Sequence, residues 1–372
     1  MNKLIVRIRN ISFIVALLLL VNATQAISQS IFNGWEHLFQ ARENYVIYKT
    51  SETLTIDGKV NEDSWKQVPW TRDFQDIEGE MKEVPLYRTR VKMLWDDQRL
   101  YILAELTEPH IWGYYKQHDK IVYHENDFEV FIDPNGDTHE YFEIEINAQN
   151  TVFDLFMTKP YRDGGIPLIT WDIKDFQSAV YVNGTVNDFS QTDEKWTVEM
   201  AVPFEALRLG VHTQVPKEGT SWKLNFSRVQ WQTEIVDGKY KRKRDEKTGR
   251  ILPEDNWVWS PIGVINMHYP ERWGLVKFTE LIAGENSVSF HMPEEEKLAD
   301  YLWLLYYKQN QYKTGNKIFA SMLKQLDFPQ MPAEGIDVTM QATDFQFSAR
   351  LKAGNWVLSI NNEGELHKRK KQ

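Results

Sequence analysis

Through the middle of the chain, apolar and polar residues alternate with a period of two. The runs Tyr141-Phe142-Glu143-Ile144-Glu145-Ile146-Asn147, Trp196 to Val202 and Trp222-Lys223-Leu224-Asn225-Phe226 show it most clearly. Each reads as a strand with one face against a core. Turn signals recur between the strands: Asp57-Gly58, Asp96-Asp97, Pro134-Asn135-Gly136-Asp137, Asn183-Gly184 and Asp237-Gly238. Short strands at this spacing predict a mainly β protein, an antiparallel, jelly-roll-like β-sandwich, rather than βα units. A short helix is expected after Pro203. The pattern changes near Gly284. From Pro293 to about Leu326 it turns helical, with Leu298, Leu302, Leu305 and Tyr306 on one face and Gly315 expected to divide it into two helices. Alternation returns at Phe345-Gln346-Phe347 and Trp356 to Ile360. The far end therefore reads as a small α+β appendage, a helical pair plus a hairpin, with Lys368 to Lys371 as a solvated tail.

Period two also places acids. Asp127, Glu129 and Asp133 share one face of their strand, and Tyr141, Glu143, Glu145 and Asn147 share one face of the next, opposite Phe142, Ile144 and Ile146. If the two strands form a hairpin, the face away from the core is rich in carboxylates. Neighbouring acids repel, so the patch needs cations, hydroxyl donors or water. Two readings are open: a solvated sheet face, or a receptor whose carboxylates accept hydrogen bonds from a polyol while nearby rings stack on its C–H face.

Composition narrows the partners. The 372 residues include 14 Trp, 16 Tyr and 19 Phe, ample material for a large core, and no Cys, which rules out disulfides, thiolate metal sites and a lipidated leader. A net charge of -10 argues against nucleic acid, whose binding requires a basic surface, and favours a neutral ligand. At the N-terminus Lys3, Arg7 and Arg9 precede the apolar stretch Ile11 to Val21 and then Asn22-Ala23-Thr24-Gln25-Ala26. This reads as an export signal over 1–26, with no stable membrane span unless it stays uncleaved. The expected product is periplasmic, cell-surface or secreted. Expected segments are a signal at 1–26, a linker at 27–47, the sandwich at 48–282 and the appendage at 283–372.

Several short motifs stand in a telling order. Ile56-Asp57-Gly58-Lys59-Val60-Asn61-Glu62-Asp63-Ser64-Trp65 is followed by Leu94-Trp95-Asp96-Asp97 with Leu100-Tyr101-Ile102, then by Asn126-Asp127-Phe128-Glu129-Val130-Phe131-Ile132-Asp133. Trp196 to Phe204 and the closing Arg272-Trp273-Gly274 complete the set. Together they resemble the family 9 carbohydrate-binding modules, sugar-binding β-sandwiches associated with polysaccharide-degrading enzymes. The resemblance implies a noncatalytic domain for a poly- or oligosaccharide, in which Glu129 holds the place of an acid that bonds sugar hydroxyls. Reducing-end binders of the family clamp the sugar between two Trp rings. Tyr123 falls near the first place and keeps a stacking face; Met267 and His268 fall near the second and do not. Glu143 and Glu145 stand about where an Arg and an Asn are expected. The fold therefore transfers more safely than the specificity. Trp171, beyond Gly164-Gly165, is a substitute ring. Trp65, Trp95, Trp196, Trp222 and Trp273 are expected in the core.

Family modules often hold structural calcium, and Asp133, Asn135 and Asp137 offer oxygen side chains at alternate positions, as a Ca²⁺ loop does; a plain turn is the competing reading. Catalytic signatures are sparse: no Gly-x-Ser-x-Gly, no His-Glu-x-x-His, and nine scattered His. A glycoside hydrolase remains an alternative because Asp127, Glu129, Glu143 and Glu145 could supply a carboxylate pair. A second is a haem-binding redox module with Met267 as axial ligand. The basic run Lys239 to Arg244 reads as the tip of a polar hairpin.

Overall fold

The computed structural model describes residues 30–210 and 215–371; the expected export signal lies outside the described residues. Nineteen strands follow in order: β1 (Asn44–Lys49), β2 (Gln75–Asp76), β3 (Thr89–Trp95), β4 (Arg99–Thr107), β5 (Asp127–Asp133), β6 (Tyr141–Asn147), β7 (Val152–Met157), β8 (Pro167–Leu168), β9 (Gln177–Asn183), β10 (Lys195–Pro203), β11 (Ser221–Gln230), β12 (Thr233–Val236), β13 (Lys239–Arg242), β14 (Asp255–Val258), β15 (Gly274–Ile282), β16 (Ile336–Ala342), β17 (Phe347–Ala353), β18 (Trp356–Asn361) and β19 (Leu366–Lys370). Strands run β8-β7-β6-β5-β11-β15 on one side and β3-β4-β10-β9 on the other, joined through β1. Pairing is antiparallel except at β1, which runs parallel to both β15 and β3. Inward residues of both halves meet in one core. Phe128, Val130, Ile144 and Phe226 come from one half, and Met93, Ile102, Trp196 and Val198 from the other. This is the sandwich that alternation predicts.

The opening motif has a mechanical role. Gly58 sits at φ +79, and a Cβ there would lie 2.7 Å from the Tyr181 amide nitrogen, so the turn packs onto β9 only as glycine. Glu199 on β10 accepts from the Asp57 and Gly58 amides at 3.0 Å each and from the Trp65 indole at 2.9 Å. Trp65, Trp95, Trp196, Trp222 and Trp273 are all buried, as expected. Beyond Pro203 the chain makes a turn, with Ala206 N–H donating to the Pro203 carbonyl, instead of the expected helix.

The appendage differs from the helical pair and hairpin expected of it. A single helix, Glu294–Asn316, runs through Gly315 and stops at Lys317, whose backbone is left-handed. One Gly in the last turn costs only about 1 kcal/mol, less than tertiary packing of the helix returns. After it β16 to β19 form a four-stranded antiparallel sheet. The basic end is not a free tail, since Lys368 and its neighbours lie in β19 and the Lys368 ammonium meets Glu296 at 2.6 Å. No helix among the described residues is long and apolar enough to cross a membrane.

Candidate functional site

The β5–β6 hairpin forms in the register that brings the acids together: Glu129 faces Glu145, Phe131 faces Glu143 and Asp127 faces Asn147. Phe128, Val130 and Ile132 turn into the core with Phe142, Ile144 and Ile146. The acid face is not a solvated surface. A second apolar cluster, including Phe131, Tyr141, Phe153, Leu155 and Trp273, packs over the same side. Asp127 is 0% exposed, Glu145 2% and Glu143 5%.

A cleft of about 430 Å³ opens on this face. Glu129, Glu143, Glu145 and Glu254 line it, beside Met267 and His268. Larger grooves elsewhere, of about 820, 660, 850 and 540 Å³, contain at most two carboxylates each. Convergent polar groups, more than size, mark a ligand site.

Two tyrosines flank the acids. Tyr123 stands on the short 3-10 turn Val122–His124. Its amide donates to Glu145 at 3.3 Å, its carbonyl accepts from the Trp231 indole at 2.8 Å, and the residue stays 39% exposed. Tyr161 stands on a second such turn, Tyr161–Asp163, and is 45% exposed. That turn is tightly built: a Cβ on Gly165 would come within 1.7 Å of the Lys159 carbonyl oxygen. Arg162 pins it with an ion pair to Glu271 at 2.9 Å and a bond to the His268 carbonyl at 3.3 Å. Tyr161 then meets the His268 ring edge-on at 4.5 Å between centroids.

Electrostatics in the cleft follow from burial. Burial pushes the Glu129 carboxyl up to about 7, against a lowering bond from Ser227 and with the Glu254 charge adding to it. Burial and then the Glu129 charge push Glu143 up to about 8. Asp127 and Glu145 rise well above their usual range, again mainly through burial and then through Glu129. Protein alone therefore leaves these groups holding protons near neutrality, able to donate as well as accept hydrogen bonds. His268 moves the opposite way, to about 4, through burial and the Arg162 charge. Its neutral imidazole pairs through Nδ1 with the Tyr141 hydroxyl at 2.8 Å.

Of the residues singled out from sequence, Tyr123, Glu129, Glu143, Glu145, Met267 and His268 meet at the cleft. Asp127 lies beneath it, within the acid cluster rather than on the lining. Trp171 is not there, because its ring packs on Phe142 at 5.1 Å on the core side of β6. Tyr161 was not expected. Its neighbours Pro160 and Gly164-Gly165 signal a turn in the sequence, but only the folded chain shows where that turn points.

At the expected Ca²⁺ loop, the side chains of Asp133, Asn135 and Asp137 bond within the turn itself. Asp133 accepts from the Gly136 and Thr138 amides at 2.7 and 2.9 Å, while Asn135 donates to Asp137 at 2.7 Å. The loop braces the C-terminal sheet, with the Thr138 hydroxyl on the Gly364 carbonyl at 2.7 Å and Leu366 N–H on the Asp137 carbonyl at 3.1 Å. Among the described residues, two other groups gather possible metal ligands: Asp127, Glu129 and Glu145, all buried, and a set of exposed His118, Asp119 and Asp172 around buried Asp154.

The family model described as "Carbohydrate family 9 binding domain-like" matches residues 56–250, just over half of the 372-residue chain. The chain belongs to this carbohydrate family 9 binding domain-like family. The family 9 match takes in the Gly58 turn, the acid hairpin and both tyrosine turns, and stops before β14, so the appendage lies outside it. Exoglucanase XynX of Acetivibrio thermocellus is 25% identical over 157 residues, 42% of this chain and 12% of that protein. Endo-1,4-beta-xylanase A of Thermoanaerobacterium saccharolyticum is 27% identical over 156 residues, 42% of this chain and 11% of that protein. The match thus spans only about a tenth of those enzymes' length. Among solved structures, a family 9 module from Caldicellulosiruptor kristjanssonii in complex with glucose is 17% identical, with a TM-score of 0.39, covering 66% of this chain and 100% of its own. A cellotriose complex of a family 9 module from the same organism is 18% identical, with a TM-score of 0.38, and covers 67% of this chain and 100% of its own.

Proposed function

We propose that the chain is an exported, noncatalytic carbohydrate-binding protein that takes a poly- or oligosaccharide into the cleft between Tyr123 and Tyr161. The observation that carries this reading is the juxtaposition of two exposed tyrosine rings with Glu129, Glu143 and Glu145 in one cleft of a family 9 domain. The rings offer stacking faces to the C–H side of a pyranose, and the carboxyls exchange hydrogen bonds with its hydroxyls. Each such bond replaces one to water and contributes only about 0.5 to 1.5 kcal/mol, so affinity is modest and weakly dependent on salt. The names of the two matched enzymes make xylo- and gluco-oligosaccharides the first ligands to test.

Binding is favoured over hydrolysis by the placement of the acids. A glycosidase sets its two carboxyls on either side of the scissile bond, about 5 to 10 Å apart. Here Asp127, Glu129 and Glu145 bunch on one strand pair, with ligand oxygens within 4.8 Å of one another.

The test is calorimetry of the full chain against xylo- and gluco-oligosaccharides, with product analysis of the same samples. Binding without released sugar is expected. Tyr123→Ala and Tyr161→Ala should each weaken it about tenfold, the loss of one stacking contact worth about 1.4 kcal/mol. Absence of binding to any glycan in a broad screen, or turnover abolished by Glu129→Ala, would refute the reading.

A further inference from the structure

Asp127 lies at the bottom of the acid cluster, 0% exposed, and neither of its carboxylate oxygens makes a hydrogen bond. The Val229 amide, opposite it on β11, favours the charged form, but burial and the Glu129 charge outweigh it. A buried carboxylate without a partner is strongly destabilising, and here Glu129 and Glu145 stand beside it without a Lys or Arg in the trio. A proton or a cation must neutralise such a group, and a cation has three oxygens to bind.

Each of the three residues offers one oxygen, and all three oxygens lie within 4.8 Å of one another. Three oxygens no more than 4.8 Å apart surround a point at most about 2.8 Å from each, a few tenths of an ångström beyond a Ca²⁺–oxygen distance of about 2.3 to 2.6 Å, so a small side-chain adjustment lets one ion reach all three. The donors are hard oxygens with no nitrogen or sulfur, which suits Ca²⁺ rather than a softer metal. The backbone fixes the set, because β5 pairs with both β6 and β11 and no ligand sits on a loose loop.

We propose that Asp127, Glu129 and Glu145 bind one Ca²⁺ ion in the wall of the cleft, with its open coordination positions turned toward the ligand. Asp127 holds the ion from beneath, while Glu129 and Glu145, which line the cleft, hold it from the side. Ca²⁺ takes six to eight oxygens, more than three monodentate carboxylates provide, so vicinal hydroxyls of a sugar can complete the shell. This last step rests on the cleft being the sugar site; the ion itself does not. The site also differs from the Asp133 loop, whose oxygens are engaged with their own backbone.

Calorimetric titration of EDTA-treated full-length protein with CaCl₂, without sugar, tests the ion directly. One Ca²⁺ per chain is expected, with a rise in melting temperature. Asp127→Asn should weaken the affinity more than about 100-fold, beyond what loss of an outer partner costs, and should abolish the thermal shift while cooperative unfolding by circular dichroism is retained. Asp154→Asn, in the His118 group, should leave both readouts unchanged. No Ca²⁺ binding, or equal affinity in Asp127→Asn, overturns the proposal, as does a loss confined to Asp154→Asn. Sugar titrations with Ca²⁺ and with EDTA separate the two readings: Ca²⁺ bound with no sugar taken up would support the ion site and sink the sugar-binding reading alone.

Discussion

Single residues show how far a strand pattern reaches. Glu199 occupies the polar position in an apolar strand, and on pattern alone it belongs to a solvated face. In the fold it holds the Asp57-Gly58 turn and the Trp65 indole together with three accepted bonds. Glu199→Ala would leave three buried or half-buried donors without an acceptor and should destabilise the protein by roughly 3 kcal/mol in denaturant titrations, whereas Glu199→Gln, which keeps an acceptor oxygen, should cost clearly less. The same blindness explains the acid hairpin. Period two correctly predicts that Asp127, Glu129, Glu143 and Glu145 share a side, because the alternation of side chains is a property of the strand. It cannot distinguish a face open to water from one roofed by other segments. Phe153 and Leu155 flank the acids from the neighbouring strand β7, while Met267 and Trp273 come from a distant stretch of chain. Tyr161 was hidden for a related reason: its turn chemistry is visible, but its direction is set by Arg162 reaching Glu271, more than one hundred positions away.

At the scale of elements, strands and the core tryptophans were legible while connections were not. Asp133-Pro134-Asn135-Gly136-Asp137 has the composition of both a cation loop and a tight turn, and local sequence does not separate them. The outcome depends on β18 and β19, whose connecting turn rests on the loop through Thr138, Gly364 and Leu366. Such a brace needs Asp133 to hold the Gly136 and Thr138 amides from a fully buried position. Asp133→Ala should therefore cost about 2 to 3 kcal/mol in thermal or chemical unfolding, the penalty for orphaned buried donors, and Asp137→Asn should leave Ca²⁺ affinity unaltered in the same calorimetric titration. Loss of Ca²⁺ binding in Asp137→Asn would return the ion to the loop.

For the whole molecule, the appendage is joined to the sandwich by charge as well as by packing, and the described residues from His37 onward cluster as one compact unit. Glu296, at the start of the long helix, meets Arg42 from the sandwich at 2.9 Å and Lys368 from the last strand at 2.6 Å, with the Lys223 charge close by. Burial pushes its carboxyl up, but the charges of Lys368, Lys223 and Arg42 outweigh that and hold it well below the usual carboxylate range. A depressed carboxyl is ionised in the folded state where the unfolded chain already binds a proton. Its contribution is thus complete above the ordinary glutamate value of about 4.3 and fades as pH falls below it. Glu296→Gln would remove the carboxylate that Lys368, Lys223 and Arg42 share, leaving Arg42 its longer pair with Asp300 at 3.9 Å, and should cost about 3 to 5 kcal/mol near neutral pH. Measured by urea titration at a series of pH values, the gap between wild type and Glu296→Gln should be constant from neutrality down to about pH 4.5 and then narrow in acid. A gap that widens on acidification would mean that the joint is not held by the ionised carboxylate. Because the joint spans three parts of the chain, limited proteolysis of the wild type should release no stable sandwich free of the helix, while the same digestion of Glu296→Gln should expose the connection near Gly284 first, as the helix and its sheet loosen together.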